Sequence, residues 1–226
     1  MKLIAVARAQ TIYSLPLSFF VTVPIFDLVE ALRDRYHFRQ IPTGAEILNP
    51  PLNQSTSLIW GKTEVAGHPV TVESIQIQNT GIATNVSVVT RTSTDDTDAI
   101  MADLVEWVRS AFSLNAKPVL PTNYLSQLEF ELDHTPRERL SFMKPMCDMI
   151  TKFIRGYGFT ACPEYEPMAF SLYFDSSVLT NPPTLVGSFS FDRRNAVPWD
   201  ENRFYSQAWL KTKDHIAVLT ELEKLL

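Results

Sequence analysis

Residues 57–91 read SLIWGKTEVAGHPVTVESIQIQNTGIATNVSVVTR. Three alternating or β-branched runs are separated by two short connections, Ala66-Gly67 and Asn79-Thr80-Gly81. Strand side chains alternate between faces, and short glycine-bearing links between such runs make hairpins. The stretch therefore predicts a meander of strands over 57–64, 69–78 and 82–91, with Ile82, Thr84, Val86 and Val88 on one face of the last. In the middle strand the apolar positions change parity, from Val70 and Val72 to Ile75 and Ile77. One extra residue restores the pattern, so a β-bulge is expected near Glu73-Ser74.

Outward from the meander the signals become helical. Downstream, Thr94 is the expected N-cap, Asp95, Asp96 and Asp98 suit the positive end of a helix dipole, and Ile100, Leu104, Val108 and Ala111 share a face. Upstream, a helix begins after Pro24 and ends at Tyr36-His37-Phe38, preceded by a strand at Phe19–Val23. The same order then recurs. Residues 124–133 alternate, and Thr135-Pro136-Arg137-Glu138 reads as a capping box. Leu140, Met143, Cys147, Ile150 and Ile154 give the next helix an apolar stripe, with Pro145 as an expected kink. Strands near 168–174, 185–191 and 203–211 follow, and Thr212 is expected to cap a last helix lined by Ile216, Leu219 and Leu222.

Both halves thus read strand–helix–three strands–helix. The first helix of each ends in Tyr-x-Phe-x-x-x-Pro, at Tyr36-Phe38-Pro42 and Tyr157-Phe159-Pro163. The closing helices open on Thr94-Asp95-Asp96 and Thr212-Lys213-Asp214. The expected fold is α+β: two similar halves, 1–118 with an extra N-terminal strand and 119–226, in one compact unit, with a mostly antiparallel curved sheet and helices packed on one side. That outline resembles the saddle of the TATA-binding proteins in topology only; no motif is shared, and the resemblance implies no function.

Composition narrows the function classes. The 226 residues carry a net charge of −5, with 45% hydrophobic and 20% charged side chains, which is globular rather than disordered. Residues 1–120 hold 9 basic and 11 acidic side chains and residues 121–226 hold 11 and 14, so neither half is a basic duplex-binding module. The two cysteines, Cys147 and Cys162, are too few for a disulfide framework and have no His or Cys at zinc-ligand spacing. Buried thiols and a cytoplasmic, soluble protein are expected. The apolar run from Thr11 to Phe26 is broken by Pro16 and Pro24 and is read as strand, not leader.

No catalytic motif stands out. The histidines His37, His68, His134 and His215 sit in no nucleophile or metal pattern, and surface or capping roles are expected. No phosphate loop can be built from seven scattered glycines, and no cofactor is implied. Glu129, Glu131 and Asp133 share a strand face and raise the alternative of a metal-dependent hydrolase, against the plainer reading of a solvated face. The most suggestive surface is the strand 203–211. Arg203, Tyr205, Gln207, Trp209 and Lys211 alternate on one face, with Arg193 and Arg194 nearby. Tyr, Trp and Arg are enriched at protein interfaces and also serve single-stranded nucleic-acid platforms. Pairing of the acidic strand with this basic one is a further expectation. The leading reading is a non-enzymatic subunit or adaptor that binds other protein subunits or itself. Nucleic-acid binding through residues 203–211 is the first alternative. The proline-bearing segment 42–56 is a candidate contact arm.

Overall fold

The molecule is described by a computed structural model for residues 1–16, 24–44, 56–79, 83–112, 122–157, 164–173 and 187–226. Chain order is β1 (Lys2–Pro16), α1 (Ile25–Tyr36), β2 (Thr56–Val65), β3 (His68–Asn79), β4 (Ala83–Thr90), α2 (Thr94–Ala111), β5 (Thr122–Glu131), α3 (Lys144–Gly156), β6 (Phe170–Leu172), β7 (Phe189–Arg193), β8 (Arg203–Ala208) and α4 (Thr212–Leu225). The strands make one antiparallel sheet in the order β2-β3-β4-β1-β5-β8-β7-β6. The fold is α+β, and the pairing of β1 with β5 joins the two halves into that sheet. The order has a simple regularity. Inward from either edge come the second, third, fourth and then first strand of a half.

The meander forms as its residues dictate. Ala66 and Gly67 both take positive φ, 49° and 82°, and bring Val65 opposite His68 in a tight hairpin of matching twist. The β3–β4 register shifts between Val72 and Ser74, which places the bulge at Glu73. Val70, Val72, Ile75 and Ile77 consequently enter one core despite their change of parity. The turn at residues 80–82 lies outside the described residues, as do the expected strand Phe19–Val23, residues 45–55 of the expected arm 42–56 and the expected boundary at 118.

The expected N-terminal strand is β1, which starts well before the apolar run at Thr11 and lies at the centre of the sheet. Ala9, Gln10, Thr11 and Ile12 are buried in succession, so this stretch of the central strand shows no alternation. Register shifts at Leu3/Ala5 and Val6/Arg8 blur its pattern further. Two cores flank this line. One joins Leu28, Val29, Leu32 and Tyr36 of α1 and Ile100, Met101, Leu104 and Val108 of α2 to strands β1–β4. The other joins Leu219 of α4 to Leu128, Phe130, Phe191 and Phe204, whose ring centroids lie 4.9 to 6.3 Å apart.

Three helix starts differ from expectation. The N-cap of α2 is Ser93, whose hydroxyl accepts from the Asp96 amide at 3.1 Å. Thr94 and Thr212 are each the first helical residue, and they bond to one another. The Thr94 amide donates to Thr212 Oγ1 at 3.0 Å, and the Thr212 amide donates to Thr94 Oγ1 at 2.8 Å. Each threonine thus satisfies an orphan donor of the other's helix. In the second half, the capping-box residues 135–138 form turns instead, and Pro145 opens α3 rather than kinking it. A proline fits the first turn, where its missing N–H has no partner to lose.

The end of α1 crosses β2 at Gly61. A Cβ there would stand 2.7 Å from the Phe38 ring and 2.8 Å from the Tyr36 carbonyl. Beyond it, Gln40 and Ile59 exchange backbone hydrogen bonds at 3.2 and 2.9 Å, which covers part of the edge strand β2.

Two outcomes are expected in urea unfolding. Thr94→Val or Thr212→Val orphans a buried amide and lowers stability by about 1–3 kcal/mol, while Thr→Ser at either site costs less. Gly61→Ala destabilises by about 1–3 kcal/mol through overpacking against Phe38.

Candidate functional site

On β8, Phe204, Ser206 and Ala208 are buried, and Arg203, Tyr205 and Gln207 lie on the opposite face. Ser206 reaches His215 of α4, so the second set faces away from that helix. Cross-strand neighbours complete a patch. Tyr205 lies between Glu129 of β5 and Asp192 of β7, and the Gln127 side-chain amide of β5 donates to Gln207 Oε1 at 2.7 Å. Arg8 of β1 lies opposite Gln127 and donates to Gln10 at 3.0 Å. Arg203 and Arg194 both approach Glu129 Oε1 at 3.7 Å. The acidic strand face and the basic one are therefore partners. Burial raises the Tyr205 pKa, against the opposing pull of Arg8 and Arg194.

The other predicted members go elsewhere. Arg193 folds onto its own turn, donating to the Arg194 and Val197 carbonyls and lying 4.8 Å over the Trp199 ring. The strand ends at Ala208, and the Trp209 indole packs directly on Gly187, where a Cβ would meet its Nε1 at 2.2 Å. Lys211 turns toward α2: its ammonium sits 2.9 Å from Asp98 and 4.6 Å over Tyr124. That carboxylate, with the Tyr124 hydroxyl, raises the Lys211 pKa. Four of the seven, Arg194, Arg203, Tyr205 and Gln207, share the patch.

The remaining acids are engaged as well. Glu131 pairs with Lys2 at 3.2 Å, and Asp133 lies with Glu223 at the Met1 amine. Among the described residues no three His, Cys, Asp or Glu groups converge as a metal site. Asp98, read as an acid for the helix dipole, accepts from Thr11, Tyr124 and Lys211 at 2.9 to 3.1 Å.

His215 is fully buried, not at the surface. Its Nε2 lies 2.9 Å from Ser206 Oγ, the contact of a hydrolase dyad. The Ser206 hydroxyl, however, donates to the Ser190 carbonyl at 2.7 Å and so accepts from the imidazole. Both groups are sealed from any substrate. Burial drives the His215 pKa down to about 4, with the Ser126 backbone pulling the other way. The pair is a structural link between β8 and α4.

The largest departure from the sequence reading is α3. Of the expected stripe, Cys147 is buried, but Ile150 is exposed. A second stripe faces outward: Phe142, Met146, Met149, Phe153 and Tyr157, exposed by 76, 48, 53, 54 and 72%. Steps of three and four residues put them on one helix face. Behind that face the helix is anchored. The Tyr165 amide donates to Thr151 at 3.0 Å, and Lys144 and Arg137 reach Glu166 at 3.4 and 2.8 Å. The two Tyr-x-Phe motifs therefore end differently, since Tyr36 is buried and donates to Asp103 of α2 at 2.7 Å. Periodicity announced an apolar face on α3, and nothing local marked it as uncovered.

Compared with protein-family models, with curated proteins and with solved structures, the chain matches none of them. The outline likeness to the TATA-binding saddle accordingly carries no argument about this chain. No helix among the described residues is long and apolar enough to cross a membrane.

A neutral buried histidine makes the fold acid-sensitive. Its folded pKa lies below the unfolded value of 6.5, so the stabilisation is complete above pH 6.5 and is lost as pH falls toward 4. Denaturation at stepped pH is expected to lose about 3 kcal/mol over that window, and His215→Leu to flatten the loss.

Proposed function

We propose that this chain is a non-enzymatic protein-interaction subunit of a larger assembly. The observation that carries the reading is the uncovered apolar stripe of α3, Phe142 to Tyr157. Exposed apolar surface costs free energy, and a contiguous patch with a polar anchor behind it is the surface a partner covers. Met and aromatic side chains make up most of the stripe, and these types are enriched at interfaces. The buried free thiol of Cys147 supports work in a reducing compartment such as the cytoplasm. We also propose that the halves descend from a duplicated unit, supported by the repeated strand order and by the matched Thr94 and Thr212.

The second reading is a single-strand nucleic-acid platform at Tyr205, favoured by the surrounding Arg8, Arg194 and Arg203. Glu129 and Asp192 in the same patch weaken it, since carboxylates repel phosphates.

The test is capture of tagged protein from its native cells, with nuclease treatment and high-salt washes. A stoichiometric partner is expected to survive both and to be lost with Met149→Glu/Phe153→Glu. Retention of that partner by the stripe variant would defeat the α3 assignment. A partner lost with nuclease or with Tyr205→Ala instead favours the platform.

A further inference from the structure

In the first half, Leu28 and Leu32 of α1 fill the space bounded by Leu104, Val105 and Val108 of α2 and by Ile77 and Val86 of the sheet. The corresponding space in the second half is open. It is a groove of about 420 Å³ between the outer strands and α4, lined by Phe170, Leu172 and Phe189 on one wall and Val218, Leu222 and Leu225 on the other. The helix in the chain position of α1 is α3, and its apolar stripe lies uncovered. Among the described residues the molecule thus carries an apolar groove without a helix and an apolar helix face without a groove.

We infer that a second copy of this chain supplies the match, the α3 stripe of each copy seating in the β6–β7–α4 groove of the other. This rests on the interaction reading and names the partner.

Three observations favour a second copy. First, α3 is tied to its own chain through Thr151, Lys144 and Glu166 on the side away from the stripe, so docking outward breaks none of those contacts. Second, charges complement. The one acid lining the groove is Glu221, whose pair with Lys224 of its own helix is exposed and worth little, and Lys152 beside the stripe has no ion-pair partner among the described residues. Third, the area suffices. The stripe leaves on the order of 600 Å² of apolar side chain uncovered, the upper end for a lone monomer. Stripe and groove together come to on the order of 900 Å² per copy, about what one partner gives a stable interface. A reciprocal contact uses each surface twice and closes at two copies.

The test is sedimentation equilibrium of the full chain from low to high micromolar concentration. A monomer–dimer equilibrium is expected. Phe153→Glu on the stripe and Val218→Glu on the groove, both at exposed positions, should each weaken it by about thirtyfold or more while leaving circular dichroism unchanged. Mixing the two variants restores one intact stripe–groove contact, so a mixed dimer should form more tightly than either variant alone. Lys152→Glu and Glu221→Lys should each weaken the dimer and recover it when combined. A wild type that stays monomeric throughout overturns the inference. So does a dimer lost with Phe153→Glu but indifferent to Val218→Glu, which signifies stripe-on-stripe pairing. A monomer that still captures another protein through α3 ends the self-pairing alone; a monomer that captures nothing ends the interaction reading too.

Discussion

Two helix N-termini meet where the halves of this molecule join, and their orphan amides are the constraint that the surrounding structure answers. Helix ends expose donors that water cannot reach once the sheet and helices close over them. Thr94 and Thr212 answer the problem reciprocally, each hydroxyl accepting the other's amide. Below them, Asp98 gathers Thr11 of β1, Tyr124 of β5 and Lys211 ahead of α4. A carboxylate at a helix N-terminus is favoured by the dipole, and here it also neutralises the lysine. With β1 and β5 paired alongside, the junction couples both halves through backbone, hydroxyl and charge.

Around that junction the halves diverge. In the first, α1 closes its core, Tyr36 and Arg35 grip Asp103 of α2, and Gly61 admits the helix end against β2. In the second, the aromatic core of Phe130, Phe191 and Phe204 is closed by α4 through Leu219, and His215 links β8 to α4 from within. A core that is already closed releases α3 from packing duty. Its apolar face then becomes surface, and with it the groove beside α4.

The polar side of the sheet obeys a different rule. Arg203 and Arg194 converge on Glu129, Gln207 pairs with Gln127, and Tyr205 stands half-buried between acids. Such cross-strand pairs satisfy each other and set the register of β5 against β8. Most of the patch is explained by internal partners, so the stronger claim to a binding role belongs to α3.

How much was legible in the sequence follows from how far each signal acts. The meander, its Ala66-Gly67 turn and the bulge near Glu73 were readable, because alternation and glycine placement are local. So were α1, α2 and α4, and the alternation that set Arg203, Tyr205 and Gln207 against Phe204 and Ser206. Strand β1 was legible only in part, as a strand reading from Thr11 onward, since successive burial erases alternation and two register shifts scramble its first half. Lys211 left its expected face because the strand stops at Ala208, and a charge on another element, Asp98, claims it. His215 read as a surface residue because polarity alone says nothing of what folds over it. By itself the sequence determined which residues alternate, turn and begin helices, since those depend on neighbours a few positions away. Only the tertiary structure decided which apolar faces are covered, because burial is set by elements far apart in the chain; the same period that buries α1 leaves α3 open.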